Sequence, residues 1–376
     1  MSEKLFIGID IGTYETKGVL VNLSGDIIHQ ASRKHEMIVP QSGWAEHRPN
    51  EDWWGDFKYV SKKLINESKC NPKNISAVSA STIGPCMLPL DNEGNPLMNG
   101  VLYGVDTRAH KEIDYLNSSI GEEKIMQFNG NVLTSQQVGP KILWLKNNRP
   151  EIYSKTSKII NGTGFINFKL TGNYTIDHFS AAFMSPLYDI NKQNWSNELN
   201  DGIIELEKLP NLVWTNEIVG EITKSASDET GLAEGTIVTS GTIDAAAEAI
   251  SVGVIGPKDM MMMFYSPVCS NCRGFMPHFA EAATASKNIE SVKGVNFVAV
   301  NKFGTTALAP LVDATTVLFE FILPMGKLNN VPSDTAAWVG SALLILLLAA
   351  SAPLLLPEDE APGEDEATDA KSQGTA

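Results

Sequence analysis

The chain predicts an α/β fold, and three observations carry that prediction. Across residues 1 to about 264, apolar runs of strand length alternate with segments of helical period. The first three runs follow one another through short glycine turns, which suggests a meander opening an α/β domain. Of the 376 residues, 43% are hydrophobic and 19% charged, enough apolar material for a sizeable core and the charge density of ordinary globular protein.

Leu5–Asp10 is an apolar strand, Gly12-Thr13 a turn and Thr16–Asn22 a second strand. Ser24-Gly25-Asp26 then turns the chain into a third, Ile27–Ala31. Asp52–Ser68 reads as an amphipathic helix, because Trp53, Phe57, Val60 and Leu64 recur at helical spacing. Ile75–Ser81 is the next strand and Glu234–Ser240 a late one, followed by an alanine-rich helix over Asp244–Val252. From Met260 the texture changes. Met260–Tyr265 is strongly apolar, Phe275–Ser286 is helix-like, Val295–Val300 is another strand, and 301–335 has no clear period. Ala336–Leu356 runs 21 residues without a charge before an acidic tail over 357–376.

The net charge of −15 excludes a nucleic-acid surface, which needs a basic field. The tail alone holds seven acids against Lys371 and so supplies −6 of that total, leaving a body typical of a metabolic enzyme. Four cysteines in a chain of this length do not make a disulfide scaffold. Cys70 and Cys86 read as buried thiols, while Cys269 and Cys272 stand two residues apart. The N-terminus shows no charged-then-apolar leader pattern and runs straight into a strand.

The turn after the first strand carries chemistry. Asp10, Gly12, Thr13 and Lys17 place a carboxylate, a close-approach glycine, a hydroxyl and an ammonium around one tight strand–strand turn. Such a turn can aim backbone N–H groups at a phosphate, with Asp10 placed to hold a hydrated Mg²⁺ and Lys17 to offset phosphate charge. The same pattern also arises as a purely structural turn.

The rest of the half chain resembles the FGGY carbohydrate kinases. The resemblance runs through the Asp10–Lys17 turn, Gly43-Trp44-Ala45-Glu46, Asp52-Trp53-Trp54, and Leu90-Asp91 with Gly94, Pro96 and Leu97. It continues through Leu102-Tyr103-Gly104-Val105-Asp106-Thr107-Arg108-Ala109, Phe168–Gly172, Asp177-His178-Phe179-Ser180-Ala181, Trp195, and Ser240-Gly241-Thr242-Ile243-Asp244-Ala245-Ala246. It implies a ribonuclease-H-like (actin/hexokinase-type) N-terminal kinase domain over 1–240, with a second domain starting at 241–263. It also implies a cytoplasmic enzyme that uses ATP and Mg²⁺ to phosphorylate a small sugar or polyol.

By that resemblance Asp244 is the base that takes the hydroxyl proton, and Asp10, Gly12, Thr13 and Lys17 form the first phosphate turn. Gly84-Pro85-Cys86-Met87, Asp106 and Arg108 lie near the sugar. The loop lacks the Gly-Gln-x-His of many xylulose kinases, which leaves the sugar open. Asp106 and Arg108 read equally well as a structural ion pair, and Trp44, Trp53 and Trp54 read as packing residues. The family follows its alanine-rich helix with a strand and a second phosphate loop of glycine and hydroxyl residues. Here Met260–Met263 supplies the strand, but Phe264-Tyr265-Ser266-Pro267 follows instead. A truncated second domain without that loop and the adenosine site is expected to make a poor kinase.

Residues 264–300 resemble the active segment of thioredoxin-like domains, with Cys269 as nucleophile and Cys272 as resolving thiol. Zinc does not suit two thiolates without a second pair of ligands. Ala336–Leu356 would span about 31 Å as a helix, enough for a bilayer core, so the chain is membrane-anchored if that stretch inserts. Two alternatives therefore stand beside the kinase: a membrane-anchored thiol–disulfide oxidoreductase, and an inactive fusion of two unrelated pieces joined near 260–264. The sequence leaves the oligomeric state open.

Overall fold

The computed structural model describes residues 4–251, 260–265 and 296–301. The meander is present: β1 (Leu5–Ile11), β2 (Glu15–Asn22) and β3 (Ile27–Lys34) pair antiparallel in sequence order. α1 (Asp56–Ser68) then carries the chain across to β4 (Ile75–Thr82), which returns to pair parallel with β1. After a long excursion come β5 (Ile218–Glu221), β6 (Ile237–Thr239) and β7 (Thr242–Ile243). The sheet order is β5-β6-β4-β1-β2-β3, with β7 continuing alongside β4 past the end of β6. Two antiparallel neighbours, β2 and β3, on one side of β1, and parallel β4 and β6 on the other with β5 closing that edge antiparallel, give the mixed sheet of the ribonuclease-H-like class.

The predicted strands are found to within a few residues, because alternating β-branched and small side chains between glycine turns leave little choice of period. The amphipathic helix starts later than its apolar spacing predicts. Asp52 folds its carboxylate back onto Arg48, accepting from the Arg48 backbone N–H at 2.8 Å and from Nη2 at 2.7 Å. Residues Pro49–Gly55 consequently form a separate wide π-helical turn before α1 begins.

α1 lies against the meander, burying Phe57, Val60 and Leu64 with Ile7, Ile9 and Leu20. Trp53 and Trp54 belong to the same core, at 0% and 2% exposure, as the packing reading expects. Trp53 also donates through Nε1 to His47 Nδ1 at 3.1 Å. Trp53→Phe is therefore expected to lower unfolding free energy by about 1–3 kcal/mol, as the price of an unsatisfied buried acceptor; urea titration checks it. A second core, with Ile142, Leu145 and Ile203 at its centre, fills the excursion between β4 and β5.

Beyond this body, β8 (Met260–Tyr265) and β9 (Asn296–Asn301) pair parallel, from Met260↔Asn296 to Tyr265↔Asn301. Cys269, Cys272, the helix-like stretch 275–286, the segment 302–335, the apolar stretch 336–356 and the tail 357–376 lie outside the described residues. Among the described residues, no helix is long and apolar enough to cross a membrane.

Candidate functional site

Three strand ends converge on one place. The parallel register sets Asp10 opposite Ser81 across β1 and β4, and Thr242 opposite Ser81 across β4 and β7. Asp10 and the residues leading into Asp244 therefore meet at the carboxyl ends of the parallel strands, where open α/β sheets form their crevices. Ser81 Oγ donates to Asp10 Oδ1 at 2.6 Å. Asp244 opens α3 (Asp244–Ser251), with its Oδ1 accepting from the Ala245 N–H at 2.8 Å.

The electrostatics of these two carboxyls are unusual. Burial pushes Asp10 up to about 6, raised further by Glu248 and opposed by Ser81 and Lys17. Burial pushes Asp244 up to about 7, with the Asp10 and Glu248 charges adding to the rise and the Ala245 and Gly84 N–H groups opposing it. A carboxyl poised near neutrality can take a proton and release it at cellular pH, which is what a general base needs.

The turn between β1 and β2 is braced from beneath. His35 Nε2 meets the Gly12 carbonyl at 3.0 Å, and His47 Nε2 meets the Thr13 carbonyl at 3.0 Å. The Trp53 indole N–H can only donate, so His47 Nδ1 must accept, and Nε2 carries the proton given to Thr13. Burial and the neighbouring His35 push His47 down to about 4, which keeps that neutral tautomer at physiological pH. His35 Nδ1 lies 2.7 Å from Asp56 Oδ2, and Asp56 also accepts from Thr16 Oγ1 at 3.0 Å and pairs with Arg33 at 3.2 Å. The Gly12 N–H is itself taken by the Glu15 carbonyl at 3.1 Å, so any N–H groups that the turn offers outward come from the residues after it. Gly12 matters here because a Cβ would come within 3.0 Å of the Glu15 carbonyl. Lys17 faces the same side of the ladder as its partner Asp10, with Nζ 4.0 Å from Glu15.

The residue set matches the N-terminal domain of the FGGY family of carbohydrate kinases over residues 5–251. The chain belongs to that family. It is 30% identical over 254 residues to a xylulose kinase of Lactococcus lactis, covering 67% of this chain and 50% of that protein. The structure superposes on xylulose kinase from Rhodospirillum rubrum with a TM-score of 0.65 at 26% identity, covering 69% of this chain and 53% of that one. It superposes on gluconate kinase from Lactobacillus acidophilus with a TM-score of 0.64 at 25% identity, covering 70% and 52%. The chain spans about half the length of the relatives it matches.

Within this FGGY domain, the loop after β4 reaches Asp244. Gly84 packs on Ile243, next to Asp244, so tightly that a Cβ would lie 2.1 Å from Ile243 Cγ2. Gly84→Ala is expected to cost about 1–3 kcal/mol from overpacking and to shift Asp244 with Ile243; thermal unfolding and the pH profile of any turnover check it. Pro85, Cys86 and Met87 continue the loop, and Cys86 and Met87 are fully buried. Burial pushes the Cys86 thiol far up, so it stays protonated.

Asp106 and Arg108 sit in a closed cluster. Arg108 Nη2 lies 2.8 Å from both Asp106 and Glu46, and its guanidinium stacks 3.9 Å from the centre of the Trp44 ring. Asp106 Oδ2 also accepts from the Ala45 N–H at 2.7 Å. Both side chains are fully enclosed, which is the ion-pair arrangement, and the segment 102–104 runs just before them in the chain. That segment is gripped from α2 (Gly139–Asn148) by the buried Lys141, whose Nζ donates to the Leu102 carbonyl at 2.6 Å and the Tyr103 carbonyl at 2.9 Å. Tyr103 in turn places its hydroxyl 3.4 Å from Thr13 Oγ1 in the turn between β1 and β2.

His35, His47, Asp56, Ser81, Tyr103, Lys141 and Glu248 are thus parts of the site or its support that the sequence reading did not single out. Only their position relative to the turn could reveal them, since each is a common residue in an unremarkable local context.

ATP and Mg²⁺ fit the residues present. The half-buried carboxylate of Asp10 suits an ion that keeps most of its waters and is otherwise held by phosphate oxygens. The close-approach glycine and the Thr13 hydroxyl of this turn suit a phosphate. Mg²⁺ bound there would neutralise charge on the phosphates.

Proposed function

We propose that the chain transfers a phosphoryl group from MgATP to a hydroxyl of a sugar or polyol, with Asp244 as the base. The observation that carries this reading is the pairing of Asp244, raised to about 7, with Asp10 across the ends of β7, β4 and β1. Asp244 draws the hydroxyl proton as the oxygen attacks, Asp10 holds the metal, and Gly12, Thr13 and Lys17 orient the phosphates. Gly84 and Pro85 wall the acceptor beside Asp244. Asp106 and Arg108 act at second hand, by fixing the segment that carries Tyr103. The xylulose and gluconate kinases among the relatives differ in acceptor, so the class is a small polyhydroxylated molecule. ATP consumption measured against ketopentoses, polyols and aldonates tests this; no turnover and no binding of any of them would refute it.

The nucleotide side is expected to be weak. In the family's pattern the strand after the alanine-rich helix leads into a phosphate loop, as β1 leads through Gly12-Thr13 into β2. Here β8 continues into Ser266-Pro267 and pairs parallel with a strand 30 residues further on, where a tight turn would give an antiparallel hairpin.

That same pairing favours a second reading of 260–301. A parallel pair needs a crossover connection, and the connecting segment carries Cys269 and Cys272 just after β8. Such a strand–crossover–strand unit is what a thioredoxin-like dithiol segment requires. Reduction of insulin that is lost in Cys269→Ser would support it, and equal reduction by both chains would end it.

A further inference from the structure

Lys141 is a buried cation for which the proposed chemistry has no use. It is 1% exposed, the only buried lysine among the described residues. Its Nζ donates to two successive carbonyls, that of Leu102 at 2.6 Å and that of Tyr103 at 2.9 Å. Enclosing an ammonium is costly unless its protons are matched, and a methionine would fill the same space without that cost. The seat of the lysine is firm. The Val138 N–H donates to the Phe183 carbonyl at 2.8 Å just before α2, and Ile142 and Leu145 are 0% exposed in the second core.

What the lysine grips is a junction. Val101 exchanges two backbone bonds of 2.9 Å with Met87, at the end of the loop after β4. The Leu102 N–H donates to the Ala45 carbonyl at 3.0 Å, and the Tyr103 N–H faces the Cys86 thiol in that same loop. The Tyr103 hydroxyl lies 3.4 Å from Thr13 Oγ1. One tripeptide therefore joins the loop that carries Gly84 to the turn between β1 and β2. Its shape depends on the ammonium. Successive carbonyls of an extended strand point to opposite edges, whereas those of Leu102 and Tyr103 converge on one Nζ. Without a donor between them, two negative dipole ends face each other in a low-dielectric interior and turn apart.

We propose that Lys141 is a positioning residue: by drawing the Leu102 and Tyr103 carbonyls together, it fixes how far the loop after β4 stands from the turn between β1 and β2. Its effect on turnover rests on the kinase reading, and its effect on Tyr103 does not. Methionine at this position frees the Tyr103 peptide, swings the ring away from Thr13 and misplaces the acceptor relative to the phosphates. A misplacement of about 1 Å costs about a hundredfold in rate.

The test is fluorine-19 NMR of the full chain labelled with 3-fluorotyrosine. The chain has eight tyrosines, and the Tyr103 signal is assigned by its loss in Tyr103→Phe. Lys141→Met is expected to shift that signal and, in a chain that turns over, to lower kcat about a hundredfold while changing KM less. Ile142→Val, which trims the next residue of α2, is expected to lower stability and leave both the signal and kcat in place. An unmoved Tyr103 signal in folded Lys141→Met overturns the proposal, as does an equal movement in Ile142→Val. If Lys141→Met does not fold, Lys141→Gln decides, because its shorter amide cannot reach both carbonyls. A shifted signal with unchanged kcat in an active chain overturns the positioning role and leaves the kinase reading standing. A shifted signal in a chain that transfers no phosphoryl group refutes the kinase reading alone.

Discussion

Asp244→Asn is expected to lower kcat for phosphoryl transfer by about 10²- to 10⁴-fold while changing KM for the acceptor little, because a general base acts in the transition state. The side chain keeps its size and its Ala245 N–H bond, so folding is preserved. The pH dependence adds a sharper signature. Asp244 must be ionised to accept a proton, so turnover should rise with pH through a midpoint near 7. The Asp10 charge helps to hold that midpoint up, so Asp10→Asn should lower it as well as weaken the metal dependence of the reaction. Initial rates between pH 5.5 and 8.5, a range set about that midpoint, measure all of this. Turnover that is indifferent to Asp244→Asn would remove Asp244 from the role.

What the sequence disclosed follows from how local each signal is. β1, the Gly12-Thr13 turn and β2 were legible because strand period and turn chemistry are properties of neighbouring residues. Asp10 was legible for the same reason, as the carboxylate that ends a strand just before a glycine. Asp244 was not: an aspartate before three alanines is an ordinary helix start, and only the ordered series of family motifs marked it out. The bracing of the turn was less legible still. His35 and His47 reach it from 23 and 34 residues away, and nothing at either position announces the carbonyl each one holds. Asp106 and Arg108 show the converse. Their spacing fits an ion pair and a substrate contact equally, and the choice depends on Trp44, Glu46 and Trp144, which close over them in space.

Asp56→Ala is expected to be the most destabilising single change in the meander, lowering unfolding free energy by about 3–5 kcal/mol and the melting temperature by about 10 °C. The carboxylate is 2% exposed on its side chain and gathers Arg33, His35 and Thr16 at one point between β2, β3 and α1. Alanine leaves Thr16 and His35 buried with unmatched polar atoms, and that loss exceeds the worth of any one of the contacts. Asp56→Asn should cost less, since an amide oxygen can still accept from Thr16 or His35. The effect should also reach the phosphate turn. Without Asp56 the His35 ring loses the partner that orients it, and the Gly12 carbonyl loses its donor. A carbonyl free to rotate outward would turn a negative dipole toward the phosphates, so affinity for ATP should fall further in Asp56→Ala than in Trp53→Phe, compared at a temperature where both chains remain folded. Equal affinities in the two variants would separate the stability of the meander from the geometry of its turn, and would show that the Gly12–His35 bond matters no more to the turn than the His47 bond that Trp53 orients.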